Sequence, residues 1–282
     1  MTIGPRVVVF SPNPGSLYTT AVCELLLRRG IAVSAVVVRR FTWKRFRQEF
    51  ARDGRRVIQK AWDKLVMGER ARTAVGLASF RQAHAISWKS IWAMSERYDF
   101  PIVSCGTLND AHVEKLLRNV TPALVVFTGG GLIREHILSA SGAGVVNCHA
   151  GVLPDYRGMD VVEWAALSGD FEKIGCTVHF MNRGLDTGDI LRVHRVRVVP
   201  GDTCASIRNR IEALMPEALV DAVAGFLDGT LERLPQKVED GLQYFVMHPS
   251  LYARADERLA RVSDRCDLPC EDRTAAVGVK VR

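Results

Sequence analysis

An amide, an imidazole and a carboxylate sit in two short loops of this 282-residue chain. Asn147 and His149 stand two apart at the head of Asn147-Cys148-His149-Ala150-Gly151-Val152-Leu153-Pro154-Asp155-Tyr156-Arg157-Gly158. Asp186 follows thirty-seven residues beyond His149, within Gly184-Leu185-Asp186-Thr187-Gly188. A side-chain amide can donate a hydrogen bond to a developing oxyanion without titrating. An imidazole can accept and return protons near neutral pH. A carboxylate beside it stabilises the cationic imidazole and can itself take a proton, directly or through water.

Those groups need a scaffold to bring them together, and Gly144-Val145-Val146 just upstream reads as a short buried strand. Alternate residues of a strand point to the same side, so Asn147 and His149 should emerge together at its end while Cys148 faces the other way. The Gly and Pro residues that follow turn the chain out of the sheet, placing the imidazole at the C-terminal edge, where open α/β sheets bind ligands. Further strands are expected at 6–11, 31–38, 101–105 and 123–127, each a short apolar run ended by turn residues. Helical spacing marks 18–29, 109–118 (with Asn109 as its cap), 132–139 and a long helix from Asp202 to Leu227. Two β segments, 175–181 and 190–199, flank the Asp186 loop, and a small strand or hairpin is expected within 228–252. The alternation predicts an α/β fold: a Rossmann-like, open, mostly parallel twisted sheet with helices on both faces. It divides into residues 1–204, with a helical insertion at about 41–97, and a small C-terminal region, 205–282, ending in a mobile tail. The turn after the first strand, Asn13-Pro14-Gly15, lacks the Gly-x-Gly-x-x-Gly of a dinucleotide site.

Hydrophobic residues make up 48% of the chain and charged ones 24%, which is ordinary for a soluble enzyme. No run approaches the roughly 20 apolar residues of a membrane span, and no leader precedes the first strand, so a cytoplasmic location is expected. Seven scattered cysteines suit a reducing compartment. Cys266 and Cys270 lack a partner pair for zinc, and no metal is expected. The net charge of +7 is regional: Arg39 to Arg72 holds twelve Lys or Arg against four Asp or Glu. This segment reads either as an amphipathic insertion with solvated charges or as a surface for an anionic partner.

Taken as an ordered set, Asn-x-His, Leu-Pro-x-Tyr-Arg-Gly and Gly-Leu-Asp-Thr-Gly resemble the folate-dependent formyltransferases, over roughly residues 5 to 200. That family includes methionyl-tRNA, glycinamide-ribonucleotide and sugar-nucleotide N-formyltransferases. The chain departs from the tRNA-formylating pattern where Ala150-Gly151-Val152-Leu153-Pro154 replaces the usual Ser-Leu-Leu-Pro run. The resemblance implies transfer of formyl from 10-formyltetrahydrofolate, with Asn147, His149 and Asp186 catalytic. It implies that Gly130, Gly131, Leu132 and Ile133, with Asn182, Gly184 and Leu185, contact the folate through backbone that must come close to a flat ring. Gly151, Tyr156 and Arg157 are candidates to touch the acceptor, although Arg157 could equally tie its own loop together and Tyr156 could pack. His179, in mid-strand, reads as structural. The expected acceptor is a primary amine on a small or nucleotide-linked molecule, such as a sugar nucleotide or a specialised metabolite. A nucleic-acid partner is kept as an alternative, because the basic insertion leaves methionyl-tRNA open. The 78 residues after 204 show no five-strand pattern of an RNA-binding barrel, which counts against tRNA. A formyl-folate hydrolase and a folate-binding module without turnover are the other readings, and a homodimer is left open.

Overall fold

Val7, Val8, Val9 and Phe10 are all fully buried, which places Arg6–Ser11 (β1) inside a sheet covered on both faces. Burying each such side chain contributes about 1.5–3 kcal/mol, more than the roughly 1 kcal/mol span of intrinsic strand preference. Packing therefore decides the strand. The computed structural model describes residues 5–40 and 75–262. Most of the basic stretch from Arg39 to Arg72, Cys266 with Cys270, and the charged end of the chain lie outside the described residues.

From β1 the chain runs through Leu17–Arg28 (α1), capped by the Ser16 hydroxyl, to Ala32–Arg39 (β2). Within the insertion expected at about 41–97 lie Val75–Ala83 (α2) and Ile91–Tyr98 (α3), and after it come Ile102–Cys105 (β3), Ala111–Val120 (α4), Leu124–Phe127 (β4), Glu135–Leu138 (α5) and Val145–His149 (β5). Next are Tyr156–Gly158 (β6), Val161–Ser168 (α6), Gly175–Phe180 (β7), Ile190–Arg195 (β8), Cys204–Leu227 (α7), Leu242–Tyr244 (β9) and Pro249–Leu259 (α8). The main sheet has seven strands in the order β3-β2-β1-β4-β5-β7-β8. The first five are parallel, and β7 and β8 extend the sheet antiparallel from β5. The order reverses between β1 and β4, so crevices open at the carboxyl ends of the central strands. This is the Rossmann-like, mostly parallel sheet that the alternation of elements implies.

Alternation along β1 separates two cores. Val7 and Val9 face a large cluster beneath α1, α6 and α7, while Val8 and Phe10 face a smaller one beneath α4 and α5. Ile207, Ile211, Leu219, Val220 and Val223 of α7 belong to the larger cluster, so this helix packs on the sheet itself. Thr203 caps it, with Ser206 completing a reciprocal box, as expected for a start near 202–203.

Two local expectations are corrected. Asn109 does not cap α4; Asp110 precedes it and takes the Gly106 and Thr107 amides at 2.9 and 3.1 Å. The helix expected over 132–139 is confined to α5, because Asn109 ties Leu132 and Arg134 outside it and Arg134 is extended. Asn109 Nδ2 donates to the Leu132 carbonyl at 2.8 Å, and its Oδ1 accepts the Arg134 amide at 2.7 Å. The charged stretch beyond Ala253 is helical as far as Leu259, since α8 buries Ala255 and Leu259 against the core.

The strand expected near Gln243 is β9, and it pairs parallel with β6, from Tyr156↔Leu242 to Gly158↔Tyr244. Gly158 makes that pairing possible. Its φ is +103°, and a Cβ there would lie 2.1 Å from the Tyr244 carbonyl oxygen, so no other residue fits without moving β9.

Candidate active site

Asn147 and His149 leave the end of β5 on one side, and Cys148 packs among the core residues on the other. A hydrogen bond with the neighbouring Cys176 and burial together hold the Cys148 thiol well above its ordinary pKa, so it is a poor nucleophile. The loop after His149 is stapled to β7 by Thr177, whose hydroxyl donates to the Gly151 carbonyl at 2.7 Å and accepts the Leu153 amide at 3.1 Å. Gly151 is obligatory there: a Cβ would come within 2.7 Å of both His149 Nε2 and the Tyr156 carbonyl oxygen.

That same carbonyl fixes the imidazole. His149 Nε2 donates to Tyr156 O at 3.0 Å, which leaves Nδ1 unprotonated in the neutral ring and 3.6 Å from Asp186 Oδ2. The ring thus offers a proton-accepting nitrogen beside a carboxylate that stabilises it once charged. Asp186 has a φ of +54°, a left-handed conformation that the surrounding loop enforces. Asn182 Oδ1 accepts the Gly184 amide and the Thr187 hydroxyl, and Gln236 Nε2 donates to the Asp186 and Gly188 carbonyls. The Gly158 amide donates to Asp186 Oδ2 at 3.0 Å, so the short β6–β9 sheet aims the carboxylate.

His179 belongs to this cluster, which its mid-strand position does not disclose. It pairs with Asn147 across β5 and β7, and its Nε2 lies 3.6 Å from Asp186 Oδ1 and 3.4 Å from Asn147 Nδ2. Its Nδ1 donates to the Phe180 carbonyl at 2.8 Å. Burial pushes His179 down from 6.5 to about 4 against the pull of Asp186, with the nearby His149 adding to the depression, so it is neutral at pH 7. The unfolded chain takes up this proton at higher pH than the folded one. Stability is therefore complete above about pH 6.5 and falls as the pH drops toward 4, by roughly 3 kcal/mol. His179→Gln is expected to flatten that part of the unfolding-midpoint profile. Superimposable wild-type and variant profiles from pH 7 to 4 would show that His179 is not buried neutral.

Two cavities border elements that carry these residues. One, of about 490 Å³, is bordered by Met181, Asn182, Arg183 and Gly184 of the Asp186 loop and by Leu138 of α5. The Arg183 guanidinium bonds Glu135 at 2.7 Å and so links this loop to the start of α5. The other, of about 400 Å³, reaches Asn147, Ala150, Thr128 and Gly129 from the side of α7. Gly130 and Gly131 have φ of +134° and +101°, and Arg39 Nη1 holds the Gly130 carbonyl at 2.6 Å. Leu132 is 71% exposed beside the buried Ile133.

With this geometry in place, the comparison with known families is direct. The family model described as Formyl transferase matches residues 6–223. The chain belongs to the formyl transferase family. A methionyl-tRNA formyltransferase of Pseudomonas putida is 34% identical over 144 residues, covering 51% of this chain and 46% of that enzyme. The chain thus aligns with less than half the length of that curated formyltransferase. Among solved structures, glycinamide ribonucleotide transformylase 1 from Symbiobacterium toebii superposes with a TM-score of 0.56 at 20% identity, covering 83% of this chain and 96% of that one. The N-formyltransferase from Helicobacter canadensis, in complex with folinic acid and dTDP-3-aminofucose, has a TM-score of 0.56 at 14% identity, over 91% and 80% of the two chains. These likenesses show a shared fold.

The remaining sequence candidates of this formyl transferase family member fall in two places. Arg157 is buried, and its Nη2 donates to the Val238 and Gly241 carbonyls, tying β6 to the segment before β9. The Tyr156 hydroxyl donates to Asp170 at 2.7 Å, and its ring stacks on Tyr244. Both side chains are engaged with the protein, while Gly151 and the Tyr156 carbonyl sit against His149. Asn109 holds Leu132 and Arg134 in place, a role its sequence position does not separate from that of a helix cap, because Asn before an apolar run is also a cap signal. Among the described residues, no group of three His, Cys, Asp or Glu could hold a metal, and no helix is long and apolar enough to cross a membrane.

Proposed function

We propose that the protein is an N-formyltransferase that moves the formyl group of 10-formyltetrahydrofolate to a primary amine on a small or nucleotide-linked acceptor. The observation that carries this reading is the cluster of Asn147, His149 and Asp186, with His149 Nδ1 3.6 Å from Asp186 Oδ2 and Asn147 at the edge of a cavity. The loop 130–133 and residues Asn182, Gly184 and Leu185 would hold the folate ring through backbone. The two positive-φ glycines allow close approach, and Asn182 and Gly184 border a cavity of about 490 Å³ with room for a heterocycle. Bound there, the folate supplies the formyl carbonyl and a leaving nitrogen.

The side chains then divide the work. Asn147 donates to the oxyanion that forms when the amine adds to the carbonyl. His149 takes the amine proton on Nδ1 and returns it to the departing folate nitrogen. Asp186 stabilises the imidazolium between those steps. A nucleotide-linked acceptor draws support from the Helicobacter canadensis relative, whose complex contains dTDP-3-aminofucose. The five described cysteines, all free and buried, fit action in the cytoplasm.

The test is release of tetrahydrofolate from 10-formyltetrahydrofolate over a panel of amines that includes an amino-sugar nucleotide and methionyl-tRNA, with the N-formyl product identified by mass. Release that depends on a small amine is the expected result. Release without any amine would make the protein a hydrolase, and release with methionyl-tRNA alone would make it a tRNA formyltransferase. Folate binding with no release at all would leave a binding module.

A further inference from the structure

The cavity that Asn147 borders contains two polar groups with no assigned role. Tyr18 and Glu212 both line it, and the Tyr18 Oη and Glu212 Oε2 atoms are buried without a hydrogen-bond partner among the described residues. Buried polar atoms are nearly always paired, so two orphans in one cavity point to something that completes them. Apart from these groups the walls are mainly apolar, with Leu77, Val162, Ile211 and Met215 prominent.

The nearest cation is already committed. Arg208, one turn before Glu212 on α7, donates through Nε and Nη2 to Glu163 and through Nη2 to Asp160. It faces two carboxylates, which leaves no charge to spare for a phosphate. Burial raises the Glu212 carboxyl to about 7 even with Arg208 nearby. A carboxyl in that state can accept a hydrogen bond from a hydroxyl or an amine, whereas a phosphate dianion would be repelled.

We propose that this cavity seats the body of the acceptor, and that the acceptor is an unphosphorylated amine. Its apolar body would lie along α7 and its distal hydroxyl or second amine between Tyr18 and Glu212. The inference rests on the proposed N-formyltransferase activity and narrows it: the reacting amine points toward Asn147, and selectivity comes from the far end of the molecule. A site built around a polar group rejects an analogue lacking that group more strongly than an apolar pocket rejects a missing methylene, because its own polar atoms are then left unpaired.

Three matched probes separate the possibilities: tyramine, 2-phenylethylamine, which lacks the hydroxyl, and O-phosphotyramine. Affinities are measured by calorimetry on the full chain without folate. Tyramine is expected to bind wild type at least about tenfold more tightly than either analogue. Glu212→Gln and Tyr18→Phe should each remove most of the preference over 2-phenylethylamine while leaving the KM for 10-formyltetrahydrofolate unchanged and without lowering the unfolding midpoint. A preference that survives in both variants would overturn the proposal, as would tightest binding of O-phosphotyramine or no tyramine binding. Because the binding measurement needs no turnover, the two readings fail separately. Tyramine selectivity without formyl transfer to any amine keeps the cavity assignment and rejects the transferase. Formylation of a nucleotide-linked amine at a rate indifferent to Glu212→Gln does the reverse.

Discussion

Replacing either His149 or Asp186 by Ala is expected to lower kcat for amine formylation by roughly 10²–10⁴-fold, the usual effect of a positioned proton-transfer group. Folate affinity should be largely kept. The geometry explains why the two should behave as one unit. His149 is held in a single tautomer by the Tyr156 carbonyl, with Nδ1 3.6 Å from Asp186. Without the carboxylate, the imidazolium formed after the amine loses its proton is unsupported in a half-enclosed site. Without the imidazole, the carboxylate has no relay to the leaving nitrogen. The double variant should therefore cost little more than the worse single one, because residues that act together are not additive. Asp186 also accepts the Gly158 amide at 3.0 Å, so Asp186→Ala loosens β6 as well as removing charge. Asp186→Asn separates the two effects, since an amide oxygen can still receive Gly158 while the charge is gone. Single-turnover rates together with a folate titration decide the matter. If Asp186→Asn retained near wild-type kcat, Asp186 would be a scaffold for the loop and the proton chemistry would belong elsewhere.

How much of this could be read in the sequence depended on the range over which each feature is determined. β1, β2, β4 and β5 were legible because strands buried on both faces are short, unbroken apolar runs, and that pattern is local. The start of α7 was legible because Thr203 and Ser206 form their reciprocal bonds within one turn. Features that join distant segments were not. β6 and β9 are three residues each and stabilise each other across more than eighty positions, so neither carries a strand signal of its own. α8 is a helix because Ala255 and Leu259 meet the core beside α6, which its charged composition hides. The place of His179 in an apolar strand gives it the pattern of a structural residue. Only the antiparallel register of β7 against β5 sets it opposite Asn147. Tyr18 and Glu212 lie nearly two hundred residues apart, on α1 and α7, and nothing but the folded chain lines one cavity with both. Asn147, His149 and Asp186 stood out because loop punctuation exposed them. What the sequence withheld was their mutual orientation.

That orientation leads to the second large effect: Asn147→Ala should cost about 2.7–4 kcal/mol in the transition state, or 10²–10³-fold in kcat, if its amide stabilises the oxyanion. An asparagine can present either its oxygen or its NH2 to a neighbour, and His179 decides which. The His179 ring is neutral because burial drives it down to about 4, and its Nδ1–H is committed to the Phe180 carbonyl. Nε2 therefore carries a lone pair and must receive a hydrogen. The group 3.4 Å away must then be the NH2 of Asn147, not its oxygen. One N–H of that amide is used by His179, and the second, with no partner among the described residues, can donate to substrate. The arrangement makes distinct demands on variants. Asn147→Ala removes the donor and should lower kcat with little change in either KM, because the interaction strengthens only as negative charge develops. Asn147→Asp keeps the shape but replaces a donor with a carboxylate beside Asp186, so it should be at least as impaired. His179→Ala leaves the amide free to rotate and should lower kcat by less than Asn147→Ala does. Were Asn147→Ala instead to raise the acceptor KM at constant kcat, the amide would be gripping the ground-state amine, and the oxyanion would need another donor.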